Sequence, residues 1–410
     1  MYNILGQFWG EIKLRQIDRI ILINVITTAI VSGIFNVFTG IHVKNLGFGE
    51  GIVGQVLSIG SLSIALGSMI NAYLSSRIGF KNTISLGLIL MSIGILGVSF
   101  LTTPFFIKLF SALMGIGYGF PFSSIGVLLI ENSSEKDRVK VFSKNFVSQS
   151  LGTVFASYGA GRLIKAFGKI FAVEKSIPLV YLFCAFLILF SFYPLNGLKD
   201  REIIKNKNNK DFFKGFKEVM SGQALSFIVY NTIIGFGAGL VIPFFSVYLK
   251  FSLNIDNEKV GIIMGLSQLG LVIGGLLVPY ISKVLGRENT VVICQLLSIP
   301  FLISIAFPQS IFILGVSFLL RSTLMNLNQP LIQNISLETV NYENRALMSS
   351  IVSMSSNVTR AISMIIAGYL MENISYNFPY YITVILYLIG TVVFYKNFKM
   401  EKPLKGGADE

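Results

Sequence analysis

The sequence predicts an all-α membrane protein in which 12 transmembrane helices form two six-helix bundles related by a parallel duplication. Three observations support this prediction. Of the 410 residues, 53% are hydrophobic and only 13% are charged, whereas about a quarter of the residues in a soluble domain are charged. The apolar residues fall into long runs, and positions in the first half of the chain match positions 207 residues later, as with Gly79 and Gly286.

Each apolar run has the length that a membrane helix needs, because a hydrocarbon core of about 30 Å takes roughly 20 residues. The first run is too long for the core of a signal peptide, so we interpret it as a span. The predicted spans are residues 18–42, 51–72, 83–102, 104–130, 141–166, 177–195, 223–249, 258–281, 290–307, 310–337, 346–371 and 378–397.

The duplication is clearest in a short basic turn after the second span, which recurs after the eighth. Its matched pairs are Ser75 and Ser282, Gly79 and Gly286, Asn82 and Asn289, and Thr83 and Thr290. Six spans per half give both halves the same orientation. We predict an N-terminal bundle over residues 1–195, a cytoplasmic linker over 196–222 and a C-terminal bundle over 223–410. The linker is charged, and its Phe-rich end could alternatively lie on the membrane surface.

The net charge of +13 is concentrated in the loops rather than in a nucleic-acid-binding domain. Most Lys and Arg residues fall in loops on the side of the N-terminus, which predicts cytoplasmic termini in a bacterial-type plasma membrane. The expected partners are a small-molecule substrate and membrane lipids, without nucleic acid, and the chain is expected to act as a monomer.

Two cysteines and one histidine cannot supply a Cys/His metal site. No phosphate-binding Gly-Lys-Ser/Thr motif is present, so we expect no cofactor and no ATP hydrolysis. An intramembrane enzyme would need His, Asp or Glu clustered at one membrane face, and the sequence lacks such a cluster.

Two arginines, Arg321 and Arg360, lie inside spans. They are about 24 and 21 Å from the cytoplasmic ends of their helices. A mid-membrane arginine costs about 2.5–3.5 kcal/mol, and no carboxylate lies deep in any span. The pair is consistent with an anionic substrate group, with gating or with structural packing.

Polar stripes accompany both arginines. Ser356 and Arg360 share one helical face with other serines, Gln329 lies in a polar stripe of the tenth span, and Asn328 shares a face with Arg321. These side chains predict a polar cavity.

The turn at Gly79 resembles the signature of the major facilitator superfamily, Gly-x-Leu-Ala-Asp-Arg-x-Gly-Arg-Lys. Arg77, Gly79 and Lys81 match it, whereas Ser76 replaces the aspartate and Phe80 one arginine. The resemblance implies a gating role for the matching residues, weakened or moved by the two replacements.

A second resemblance is an acid seven residues before an arginine at two helix ends, Glu131 with Arg138 and Glu338 with Arg345. In the superfamily such pairs gate the cytoplasmic side. Ordinary helix-end charges that complement the helix dipoles are the alternative.

The resemblance further implies that helices 1, 4 and 7 line a translocation path, with Asn24, Asn36, Tyr118 and Asn231 as substrate contacts. It predicts a secondary transporter that moves a small or amphiphilic organic solute by alternating access, and the two arginines favour an anionic one. The alternatives are a multidrug exporter driven by proton antiport and a non-transporting membrane sensor.

Drug exporters usually carry Gly-Pro in the fifth helix and an arginine four residues before the glycine pair of the fourth. This sequence has no Gly-Pro over 141–166, and Ser111 occupies the position where the drug exporters have the arginine. Coupling could use a proton, carried by Asp18 or Glu131, an exchanged anion or neither. His42 is expected to be an interfacial residue rather than a proton relay.

Overall fold

The computed structural model describes residues 16–134, 137–198, 219–308, 310–341 and 344–398. The first half contains α1 (Gln16–Asn45), α2 and α3 within one helical stretch (Glu50–Phe100), α4 (Pro104–Glu131), α5 (Arg138–Ile170) and α6 (Val173–Phe190). The second half contains α7 (Gly222–Ser252), α8 (Asn257–Leu285), α9 (Arg287–Ala306), α10 (Ile311–Glu338), α11 (Arg345–Asn373) and α12 (Phe378–Asn397). The fold is all-helical, as predicted, and residues 199–218 of the predicted linker lie outside the described residues.

Among the described residues, nine helices are long and apolar enough to cross a membrane. The stretch Glu50–Phe100 counts as one of them, although it bends at Gly79 into α2 and α3. Two of the predicted spans, α5 and α11, are long but not apolar enough to be counted. Their polar residues explain the difference, because both helices carry stripes of polar side chains toward the middle of the protein.

The repeated turns have the same backbone conformation. Gly79 has φ 81° and ψ 162°, and Gly286 has φ 83° and ψ 157°. This region of conformational space is open essentially to glycine alone. The Thr83 hydroxyl donates to the Gly79 carbonyl and the Thr290 hydroxyl to the Gly286 carbonyl. The predicted duplication is therefore confirmed down to single hydrogen bonds.

Two helices in equivalent positions of the halves are irregular. In α1 the segment Ala29–Phe35 is π-helical. In α7 a 3-10 turn over Ile242–Phe244, which contains Pro243, precedes a π-helical turn over Tyr248–Ser252. Such irregular turns reorient the side chains that follow them. Here they lie next to the interface between the halves.

The two halves pack together at one end of the molecule, which we call the closed face, opposite the terminal face where α1 begins and α12 ends. There α2 packs on α11 and α5 on α8. A Cβ on Gly54 would lie 3.4 Å from the Cα of Gly368, and one on Gly161 would lie 3.2 Å from the Cα of Gly261. Gly54 and Gly261 are 207 residues apart, as are Gly161 and Gly368, so the closed face consists of two repeat-related helix contacts.

Candidate substrate site between the halves

Polar links reinforce the closed face. The Gly51 N–H donates to the Glu372 carboxylate at 2.7 Å, and the Lys165 ammonium lies 2.5 Å from the Glu258 carboxylate. Glu50 pairs with Lys44 at 2.6 Å and accepts a hydrogen bond from the Tyr376 hydroxyl. Every one of these links except Lys44–Glu50 joins one half to the other.

Tyr376 lies in the loop between α11 and α12, outside the spans. Burial and the hydrogen bond to Glu50 raise the pKa of its hydroxyl above the ordinary value. The link between the two residues therefore persists at neutral pH, with the tyrosine as donor.

Two of the cavities among the described residues lie between the helices near the middle of the protein. The central cavity, of about 240 Å3, is lined by residues of both halves, including Asn36 on α1, Gln268 on α8 and Arg360 on α11. The vestibule, of about 660 Å3, extends from Ser356 to Ser336 and Ser349 near the terminal face. A solute could therefore approach the middle of the protein from the terminal face but not from the closed face.

Arg360 and Arg321 lie within electrostatic range of each other. Arg321 is 4% exposed, donates to the Tyr387 hydroxyl at 3.1 Å and stacks its guanidinium over Phe245 with 5.2 Å to the ring centre. The Nε atoms of both arginines are buried without a hydrogen-bond partner, and no carboxylate among the described residues pairs with either. The site therefore holds two positive charges that the described protein leaves uncompensated.

The residues predicted to contact the substrate lie in different parts of the structure. Asn36 and Arg360 line the central cavity, and Ser356, Gln329 and Asn231 line the vestibule. Arg321 lies behind Tyr387 and lines neither. Asn328 is buried and donates to the Val291 carbonyl at 3.2 Å, so it faces α9.

Asn24 and Tyr118 belong to a polar network inside the first half. The Asn24 amide donates to Asn145 at 2.9 Å and to Gln149 at 2.7 Å. The Thr28 hydroxyl donates to the side-chain oxygen of Asn24 and is also hydrogen-bonded with the Tyr118 hydroxyl. Neither lines the central cavity or the vestibule, so in this conformation both are packing residues.

The residues predicted to gate the terminal face are not arranged as simple pairs. Glu338 accepts a 2.6 Å bond from Arg287 instead of one from Arg345, whose Nε donates to the Leu337 carbonyl. Arg138 has a buried Nε without a partner, and no ion pair to Glu131 occurs among the described residues. Arg77 stacks on the Tyr73 ring at 4.4 Å.

The remaining predicted residues take part in local structure. Lys81 donates to the Asn196 carbonyl at 3.0 Å, and Asp18 pairs with Lys144 at 2.6 Å. His42 was expected at the membrane interface but is only 2% exposed, with Nε2 3.0 Å from the Val98 carbonyl oxygen. The position of His42 at the end of a span suggested exposure, but α3 and α6 cover its side chain.

Sequence reasoning missed Tyr387 and Arg287. Tyr387 lies in an apolar run without a spacing signal. Arg287 could have been found, because it occupies in the second half the position of Phe80, where the family signature carries an arginine. The arginine that the signature places at position 80 is thus present in the second half instead.

Comparisons with known proteins agree with this architecture. The family model of the Major Facilitator Superfamily matches residues 21–234 and 227–410. No curated protein sequence matches the chain. Among solved structures, the nucleoside transporter NupG superposes with a TM-score of 0.76 at 14% identity, covering 93% of this chain and 98% of that one.

Two further structures are similar to the same extent. A bacterial homologue of the iron transporter ferroportin in an inward-facing state has a TM-score of 0.75 at 14% identity, covering 94% and 98% of the two chains. A bacterial homologue of the human lysosomal transporter Spinster, inward-facing and unoccupied, has 0.72 at 14% identity, covering 93% and 96%. At such low identities the likeness establishes the fold.

Proposed function

Because the chain belongs to the major facilitator superfamily, we propose that it carries an anionic organic solute across the membrane through a site centred on Arg360. Its family and fold make it a multi-pass membrane protein and a secondary transporter, not an enzyme. The anionic substrate is the proposal added here.

The observation that carries the proposal is the uncompensated charge of Arg360 and Arg321. Isolated charges are expensive in a low-dielectric interior, and a partner must repay their desolvation. A guanidinium binds a carboxylate or phosphate through paired hydrogen bonds. Arg360 lines the central cavity and would contact the anion, whereas Arg321, held by Tyr387, would add a second positive charge from behind.

The same geometry supports alternating access. The closed face is held by interhalf contacts while the vestibule extends to the terminal face. Rocking of one half against the other would break the first set of contacts and open the site to the opposite side. We place the terminal face in the cytoplasm of a plasma membrane because the Lys and Arg loops lie there.

The test is binding to the purified protein. Organic anions should raise its unfolding temperature more than neutral analogues do, and Arg360→Gln should remove this difference while Lys396→Gln, at an exposed helix end, keeps it. Equal stabilisation of the wild type and Arg360→Gln would contradict the proposal. Uptake into proteoliposomes under a proton gradient or a counter-anion gradient, imposed separately, distinguishes the two predicted modes of coupling.

A further inference from the structure

The wall of the vestibule is polar but neutral. More than half of the residues that line it are Asn, Gln or Ser, and none of them is charged. Phe146 is contributed by the first half, and the other lining residues come from α7, α8, α10 and α11. This wall therefore offers hydrogen bonds without selecting for charge.

Several of these groups have hydrogen-bonding capacity to spare. Gln329 and Gln333 lie on successive turns of α10, are exposed in the vestibule, and their amides make no hydrogen bond to the described protein. Asn231 and Asn326 use their amide nitrogens, on the Val352 and Ser322 carbonyls, and leave their oxygens free. Each amide presents both donors and an acceptor, which is the pattern that complements hydroxyl and amide groups of a ligand.

The wall comes within one helical turn of the cation site. Ser356 lines the vestibule and Arg360 the central cavity, one helical turn or about 6 Å apart along α11. An anionic group held at Arg360 would therefore leave the rest of the solute in the vestibule. The volume of about 660 Å3 lies in the range of small-molecule sites, roughly 300–1,000 Å3.

We propose that the substrate is a hydroxylated organic anion, such as a sugar acid or a sugar phosphate, whose hydroxyl groups bond Gln329 and Gln333 while its anionic group lies at Arg360. This inference rests on the proposed function and specifies it. An apolar anion of the same length would cover the two amides without satisfying them, and a site built around hydrogen bonds discriminates strongly against analogues that lack them.

The experiment uses the full chain in nanodiscs and six-carbon probes. Gluconate and glucose 6-phosphate are the hydroxylated anions, hexanoate and hexyl phosphate the apolar anions, and glucitol and glucose the neutral controls. At least one hydroxylated anion should bind at least about tenfold more tightly than its apolar and neutral counterparts. Comparison of carboxylate and phosphate identifies the anionic group.

Variants assign the contacts. The double substitution Gln329→Leu with Gln333→Leu should weaken the hydroxylated anion about tenfold and leave the apolar anion unchanged. Asn334→Leu, exposed on the same helix but outside the vestibule, should change neither. Arg360→Gln should weaken both anions.

The outcomes separate the two proposals. Apolar anions that bind as tightly as hydroxylated ones would overturn this inference while leaving the anion site intact. Neutral glucitol or glucose binding as tightly as the anions would overturn the proposed anionic substrate and, with it, the anionic part of this inference. Absence of binding by all four anions would contradict both.

Discussion

The Lys165 ammonium on α5 lies 2.5 Å from the Glu258 carboxylate on α8 and so joins the two halves at the closed face. In the register of the duplication, the equivalent residues are Glu372 and Gly51, and they also meet. In one contact the acid binds a lysine. In the other it binds a backbone N–H in the first turn of α2, where a helix end favours negative charge. The two halves thus share the position of the link but differ in its chemistry.

Substitution of Glu258 by Gln should weaken the closed face. Glu258 also pairs with Arg162 at 3.6 Å, so one substitution removes both ion pairs. Exposed pairs are weak and screened by salt, so we expect the ratio of open to closed conformers at this face to rise by no more than about fivefold. Spin labels at Ile170 and Ile311, in a background without Cys184 and Cys294, measure the change.

The control is Glu338→Gln, which removes the Arg287 pair within the second half and should not alter that distance. An equal effect of the two variants would show that general destabilisation, not the interhalf link, moves the labels.

Gly161→Leu should separate the halves more strongly than loss of an ion pair. A Cβ at this position would lie 2.6 Å from the Asn257 carbonyl oxygen. Because this oxygen belongs to the backbone of α8, the whole helix would have to move to make room. Gly159→Leu, two residues earlier on the same helix with no atom within 4 Å, is the matched control. We expect the first variant to lose the short interlabel distance at the closed face and most of its transport, and the second to keep both. Retention of the wild-type distance in Gly161→Leu would contradict the packing described here.

Gly79→Ala and Gly286→Ala should each destabilise the protein by about 1–3 kcal/mol, because both glycines have φ values near 80° that alanine adopts at that cost. Gly126→Ala, in α4 with open space around it, should instead be neutral or stabilise by up to about 1 kcal/mol. Unfolding in mild detergent measures the difference, and similar unfolding midpoints for all three variants would be inconsistent with the duplicated turn.

Phe80→Arg should restore in the first half the ion pair that the second half makes between Arg287 and Glu338. Residues 80 and 131 are the repeat equivalents of 287 and 338. We expect a coupling free energy of about 0.2–1 kcal/mol with Glu131. A double-mutant cycle with Glu131→Gln separates this coupling free energy from the stability lost when Phe80 no longer packs against the core. Zero coupling would show that the two halves differ in backbone position at this turn.

The fold could be predicted largely from the sequence, because a membrane requires long apolar helices and the duplicated turn sets their register. Gly79 and Gly286 were recognised from position alone, and their backbone conformations agree. Counting residues along helices of constant rise also predicts that Arg321 and Arg360 lie at a similar depth, and the two arginines do interact electrostatically.

The contacts within the site could not be predicted in the same way. Counting placed Asn328 on the same helical face as Arg321, but it did not show that Asn328 contacts α9, whereas Gln329 lines the vestibule. Glu338 pairs with Arg287 because the turn after α8 brings Arg287 close to it. The seven-residue spacing to Arg345 does not reveal this contact. Tyr387 contacts Arg321 because α12 and α10 both pack against α9, a tertiary relation that has no local signal in the sequence.

The vestibule takes nearly all of its wall from the second half, although the two halves have the same fold. Under the proposed function, the two halves would therefore have different roles: both supply helices to the closed face, whereas the second half would make most of the contacts with the substrate in the vestibule. Since α10 and α11 are consecutive in the chain, one uninterrupted segment, residues 326–357, contains most of the residues that line the vestibule. Exchanging that segment between related carriers should transfer substrate preference and would leave Gly368 and Glu372 of the closed face unchanged.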